Sequence, residues 1–207
     1  MIDVSILGIK ENKINNYKKL DNSSCDMIHI DIMDNKFVPN YNLYESDYIF
    51  NKDHDIHLMV EDVSHYIDKY KYLNPKYITF HIEVKEDILF LINKIKSNNI
   101  KVGLAIKPNT DINLIKPYLN LIDLVLVMSV EPGFGGQKYI ENSTNRINEF
   151  IKLREENNYH YLIEVDGGIN NNTFNINNAD IKVVGSYITN SDNYEDKINE
   201  LKNLENI

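Results

Sequence analysis

A (β/α)8 barrel, the TIM-barrel class of α/β fold, is predicted by three observations. Short apolar runs alternate with longer amphipathic segments along the chain, the pattern of repeated βα units. The runs are rich in Ile, Val and Leu and nearly continuous in hydrophobicity, as parallel strands covered on both faces read. Eight such units fit into 207 residues, which suits a single barrel domain spanning 1–207. The structural alternative is a doubly wound open sheet. That fold usually carries a glycine-rich turn after its first strand, whereas Ser5-Ile6-Leu7-Gly8-Ile9-Lys10 has one glycine.

In chain order, the predicted strands are Asp3–Leu7, Met27–Ile32, Asp55–Leu58, Tyr77–His81, Lys101–Ile106, Leu121–Ser129, Tyr161–Asp166 and Lys182–Gly185. The predicted helical segments are 11–20, 43–50, 62–73, 87–98, 111–119, 142–157, 170–177 and 193–204. Thr110 precedes an i, i+3 apolar spacing and reads as a helix cap. Pro75 falls where it can stop the segment before it. Ile140, Ile147, Phe150, Ile151 and Leu153 form one apolar stripe at roughly helical period.

Composition narrows the function classes. The chain carries 22 Lys+Arg against 31 Asp+Glu, a net charge of −9. Nucleic acid and anionic membrane are excluded as partners, because both need a basic face. A small phosphorylated substrate is not excluded, since backbone N–H groups hold phosphate without Lys or Arg. No run of about 18 apolar residues is present, so no membrane span is expected. The N-terminus lacks the basic-then-apolar layout of a signal peptide, so a cytoplasmic location is expected. The single cysteine, Cys25, excludes an internal disulfide and a multi-cysteine metal site. It reads as a small semi-buried residue.

The chemistry-bearing pattern is His29-x-Asp31-x-Met33-Asp34, followed by His57-Leu58-Met59 and later by Asp166-Gly167-Gly168. Alternate side chains of a strand share a face, so His29, Asp31 and Met33 project together, as do His57 and Met59. If these strands are neighbours, two imidazoles, two carboxylates and two thioethers converge. Such a set holds a divalent metal and still supplies a proton acceptor and a proton donor. Every one of these residues lies at or near the C-terminal end of a predicted strand, where barrels place their sites. His81 also ends a strand and is a candidate second-layer or substrate contact. His54, His65 and His160 read as ordinary loop or helix residues.

Three glycine-rich loops follow the last predicted strands: Gly133-Phe134-Gly135-Gly136-Gln137, Gly167-Gly168 and Gly185-Ser186. Glycines let backbone N–H groups approach an anion, and barrels often bind phosphate with their final loops. The prediction is therefore a barrel of the phosphate-binding type.

Together, these segments resemble the ribulose-phosphate 3-epimerases. The resemblance rests on Ser5-Ile6-Leu7, the run from His29 to Asn40, His57-Leu58-Met59-Val60, Thr79-Phe80-His81, the run from Met128 to Gln137, Glu164-Val165-Asp166-Gly167-Gly168 and Gly185-Ser186. They occur in family order and span the chain. The resemblance implies metal-dependent epimerisation of D-ribulose 5-phosphate and D-xylulose 5-phosphate at C3. By the same resemblance His29, Asp31, His57 and Asp166 are metal ligands, Asp31 and Asp166 the acid/base pair, and Ser5 a substrate contact. Met33, Met59 and Met128 would pack around the reacting centre. The expected cofactor is one divalent ion per subunit, and Zn²⁺, Fe²⁺, Mn²⁺ and Co²⁺ all suit two imidazoles with two carboxylates. A homo-oligomer is expected.

Two segments depart from the family pattern: Gly8-Ile9-Lys10 replaces its Ser-Ala-Asp, and Tyr41-Asn42-Leu43-Tyr44 stands where Gly-Pro is common. Other readings are weaker. A hexulose 6-phosphate epimerase would use the same chemistry on a longer sugar. Decarboxylase and aldolase barrels need an Asp-x-Lys-x-x-Asp array that no strand end offers, and a metal-dependent hydrolase would open with His-x-His. A sugar-phosphate-binding barrel without catalysis would be expected to lose a ligand or a carboxylate, and both sets are intact.

Overall fold

The computed structural model describes residues 1–205. Its strands are β1 (Ile2–Ser5), β2 (Met27–Asp34), the two-residue β3 (Tyr41–Asn42), β4 (His54–Met59), β5 (Tyr77–His81), β6 (Lys101–Ile106), β7 (Leu124–Met128), β8 (Leu162–Asp166) and β9 (Ile181–Val184). All but β3 run parallel, and β1 pairs with both β2 and β9, which closes an eight-stranded barrel. β3 is an antiparallel addition to the end of β2, with Met33 opposite Asn42. Each predicted strand is present, its ends displaced by at most three residues. Cys25 is buried just before β2.

The helices are α1 (Lys13–Asp21), α2 (Val63–Tyr70), α3 (Ile88–Lys96), α4 (Asn142–Asn157), α5 (Ser186–Thr189) and α6 (Tyr194–Glu205). Asp62 and Asp87 cap α2 and α3 by accepting the His65 and Phe90 N–H groups. α2 tightens into a 3₁₀ turn, Lys71–Leu73, and Asn74 then takes a left-handed conformation ahead of Pro75.

Three predicted helices are corrected. Segment 43–50 is not helical. Tyr44 N–H donates to Tyr70 Oη at 3.2 Å, and Tyr48 Oη donates to Asp21 at 2.9 Å, so aromatic anchoring overrides local propensity. Segment 111–119 forms two 3₁₀ turns, capped by Asp111 rather than Thr110. Pro117 is the second residue of the second turn, Lys116–Tyr118, and its missing N–H and bulky ring oppose an α-helix through that segment. Segment 170–177 is a set of turns: the side chains of Asn170 and Thr173 bond nearby backbone, which competes with helix formation. The four-residue α5 after Gly185 was not anticipated.

Two cores follow from strand alternation. Outward residues such as Ile28, Ile30, Ile56, Leu58, Val102, Leu104, Val125 and Val165 pack with Leu91, Ile147, Phe150 and Leu201 of the helices in one large cluster. Inside the barrel, Met27, Tyr77, Leu124 and Ile181 form a separate apolar cluster. They come from alternate barrel strands, as barrel layers do, and form a sealed floor. Asp3, Asp55 and Glu164 lie one step above it on the other four strands, with Gly103 as the fourth member of the layer, and all three acids are fully buried. The barrel interior is therefore apolar at one end and heavily polar towards the other.

Candidate active site

Five strands carry a polar pair two residues apart: Asp3 and Ser5 on β1, His29 and Asp31 on β2, Asp55 and His57 on β4, Thr79 and His81 on β5, Glu164 and Asp166 on β8. Period-two geometry aims both members of each pair into the barrel. The β2–β4 register sets Asp31 beside His57 and His29 beside Asp55. Ligand atoms of His29, Asp31, His57 and Asp166 all lie within 4.8 Å of one another. His29 Nε2 is 3.3 Å from Asp31 Oδ1, and His57 Nδ1 is 3.2 Å from the same oxygen. His57 Nδ1 also lies 4.0 Å from Asp166 Oδ2. Ser5 Oγ donates to Asp31 Oδ2 at 2.7 Å.

The two carboxyls are pushed in opposite directions. Burial works against the charge on Asp31, but His29 and His57 outweigh it and hold the carboxyl well below its ordinary range. Burial raises Asp166, reinforced by the nearby charge of Asp31, to about 6. Burial disfavours charge on His29, yet Asp55 and Asp31 raise its pKa well above the usual value.

The residues fit a divalent metal. His29 Nε2 is buried with no aligned hydrogen-bond partner among the described residues, and two imidazoles with two carboxylates suit first-row transition ions. A second group, Asp3, His29, Asp55 and Glu164, lies directly beneath. His29 joins the two, with Nδ1 2.9 Å from Asp55 Oδ1. Burial raises the carboxyls of Asp3 and Glu164, each further raised by Asp55.

Above the cluster a cavity of about 1010 Å³ opens at the C-terminal ends of the strands. Ser5, Asp31, Asp166 and the three methionines Met33, Met59 and Met128 line its base. Gly133, Phe134, Gly135, Gly136, Gly167, Gly168, Gly185 and Ser186 line its wall. His29 and His57 sit behind this lining, fully buried. The N–H groups of Gly136, Gly168 and Ser186 have no acceptor among the described residues. Gly168, at φ +67°, is obligatory: a Cβ there would come within 2.4 Å of Tyr139 N. Asn40 Nδ2 donates to Gly133 O at 2.6 Å, tying the loop after β2 to the loop after β7.

Sequence reasoning passed over Asp3, Asp55, Glu164 and Glu83, and over Lys10 and Lys138 on the cavity wall. The signal for the first three was the same two-residue spacing that marked His29 and Asp31. His54 is not an ordinary loop or helix residue: it opens β4, is buried, and contacts Lys52 O and Leu73 O through its two ring nitrogens.

Fold and site together define a TIM barrel with an acidic, imidazole-rich centre beneath a glycine-walled cavity. The sequence model of the ribulose-phosphate 3 epimerase family matches residues 1–189, and the chain belongs to that family. A ribulose-phosphate 3-epimerase of Buchnera aphidicola subsp. Baizongia pistaciae is 40% identical over 193 residues, covering 88% of this chain and 85% of that protein. The enzyme of that name from Escherichia coli K12 is 31% identical over 189 residues, covering 87% and 84%. Among solved structures, 3-hexulose-6-phosphate synthase from Salmonella typhimurium superposes with a TM-score of 0.67 at 15% identity, covering 98% of this chain and 97% of that one. Orotidine 5'-monophosphate decarboxylase from Sulfolobus solfataricus gives 0.63 at 12%, covering 99% and 97%. These two likenesses speak to the fold alone. No helix among the described residues is long and apolar enough to cross a membrane.

Proposed function

We propose that this protein interconverts D-ribulose 5-phosphate and D-xylulose 5-phosphate by epimerisation at C3, with Asp31 and Asp166 as the acid/base pair. The observation that carries the reading is the opposed state of two carboxyls within one buried cluster, Asp31 held ionised and Asp166 raised to about 6. Inverting a carbon beside a ketone requires a base on one face and an acid on the other. Two carboxyls whose environments pull their pKa values apart separate the group held as carboxylate from the one able to carry a proton. Which of them removes the proton depends on the direction of reaction.

The other residues act around that exchange. Ser5 hydrogen-bonds one oxygen of Asp31 and fixes its orientation. Met33, Met59 and Met128, each at most 2% exposed, keep water from the reacting carbon with polarizable, non-basic surface. Free N–H groups of the Gly136, Gly168 and Ser186 loops face the phosphate, assisted by Lys10 and Lys138. A divalent ion held by His29, Asp31, His57 and Asp166 would act as a Lewis acid on the C2 carbonyl oxygen.

The test is conversion of D-ribulose 5-phosphate in D₂O, following product and deuterium at C3. Conversion with solvent deuterium at C3 is the expected result. A folded, metal-loaded protein that leaves the pentulose phosphate unchanged would overturn the proposal and turn attention to hexulose 6-phosphates.

A further inference from the structure

His81, at the end of β5, is fully buried, and both of its ring nitrogens are engaged. Nε2 lies 2.9 Å from Nε2 of His57. Nδ1 lies 3.2 Å from Glu83 Oε2. The two imidazoles lie edge to edge, with centroids 5.0 Å apart and an interplanar angle of 28°, close enough to coplanar for an in-plane N–H···N bond. Glu83 is fixed in turn, its Oε1 accepting the Lys107 backbone N–H at 2.8 Å. Glu83, His81 and His57 thus form one continuous chain ending at His57 Nδ1, 3.2 Å from Asp31 Oδ1.

With both imidazoles neutral, the order of donors in that chain follows from its anionic end. A carboxylate only accepts, so the hydrogen between Glu83 and His81 belongs to His81 Nδ1. A neutral imidazole carries one hydrogen, which leaves His81 Nε2 an acceptor. Only one hydrogen fits between two ring nitrogens 2.9 Å apart, and it therefore sits on His57 Nε2. The lone pair of a neutral His57 is then on Nδ1, the nitrogen that faces Asp31. A bare nitrogen beside a carboxylate oxygen needs a cation between them.

The other imidazole of the cluster is held differently. His29 presents Nε2 to Asp31 and Nδ1 directly to Asp55, at 2.9 Å. His57 reaches its anion only through a second imidazole. Both rings are backed by an acid through opposite nitrogens: the buried Asp55 of β4 behind His29, and the partly buried Glu83 of the turn after β5 behind His57.

We propose that Glu83 and His81 are positioning residues that lock the ring of His57, through one directed hydrogen-bond chain, with Nδ1 presented to a divalent metal. The inference rests on the metal reading of the His29, Asp31, His57 and Asp166 cluster. It assigns Glu83 a part in metal retention although it lies beyond the ligand set. Outer-layer partners of this kind are worth about 10–100-fold in metal affinity.

The experiment uses the full chain in three forms: wild type, Glu83→Gln and His81→Gln. Zn²⁺ affinity is measured by competition with a chromophoric chelator, and the ring nitrogens of His57 are assigned by ¹⁵N NMR in the loaded protein. The expected wild-type state has hydrogen on His57 Nε2 and metal on Nδ1, with about 10–100-fold weaker Zn²⁺ binding in both variants. An Asp55→Asn control is expected to leave the His57 nitrogen signals in place. Wild-type protein with the hydrogen on His57 Nδ1 overturns the inference without any variant. So does unchanged Zn²⁺ affinity in folded Glu83→Gln and His81→Gln. Failure of wild type to bind Zn²⁺ at all, with the same weakness after Asp31→Asn, overturns the metal reading instead.

Discussion

Asp31 and Asp166 are separable by substitution because Asn keeps their shape and removes their basicity. Asp31→Asn and Asp166→Asn are each expected to lower kcat by at least about 10²–10⁴-fold, the range of a lost general acid or base. Circular dichroism should remain that of the folded barrel. Appreciable turnover in both variants would remove them from the proton-transfer role. At this scale the sequence was informative wherever chemistry and spacing coincided. His29, Asp31, His57 and Asp166 were legible because imidazole and carboxylate recurred at strand ends. Asp3, Asp55 and Glu164 were not, although each precedes a site residue by two positions. Their strands read as continuously apolar because the outward residues, Ile2, Val4, Ile56, Leu58, Ile163 and Val165, supply most of that signal. A strand inside a barrel mixes two unrelated faces in one line of sequence.

Loops and helices divide differently. Gly168 combines φ +67° with a backbone nitrogen 2.4 Å from where a Cβ would stand, so Gly168→Ala must displace the loop after β8. The expected effect is a raised KM for the phosphorylated sugar, about tenfold or more, with Zn²⁺ affinity little changed, since one lost interaction of 1.4 kcal/mol is worth a factor of ten. Equal KM in variant and wild type would show that the loop does not bear on the phosphate. Strands were legible because a run of β-branched residues needs no partner to declare itself. Helices with ordinary caps, such as α2 and α3, were legible too. Segments 43–50 and 170–177 were not, because Tyr44, Tyr48, Asn170 and Thr173 commit their polar groups to partners outside any helix.

For the molecule as a whole, the buried acids make stability depend on pH and metal together. Asp166 is raised to about 6, whereas in an unfolded chain an aspartate titrates near 3.9. A carboxyl raised on folding contributes stability that is complete below about pH 4 and lost as pH rises through about 6. Metal-free wild type should therefore lose stability relative to metal-free Asp166→Asn between pH 4 and 7, by on the order of 2 kcal/mol. Thermal melts across that range measure it, and a wild-type-to-variant difference that stays flat with pH would refute it. Barrel closure was legible in the sequence as eight alternating units. The polar interior was not, since it emerges only when register brings strands distant in sequence side by side.

The apolar floor of Met27, Tyr77, Leu124 and Ile181 has a further consequence. Among the described residues it closes one end of the barrel interior, so water, hydrons and the proposed sugar phosphate would all enter from the cavity end. If Asp31 and Asp166 are the acid/base pair proposed above, a sugar phosphate in that cavity would also screen their hydrons from bulk solvent. Isotope exchange at the acid would then be timed by departure of the product rather than by the acidity of the carboxyl itself.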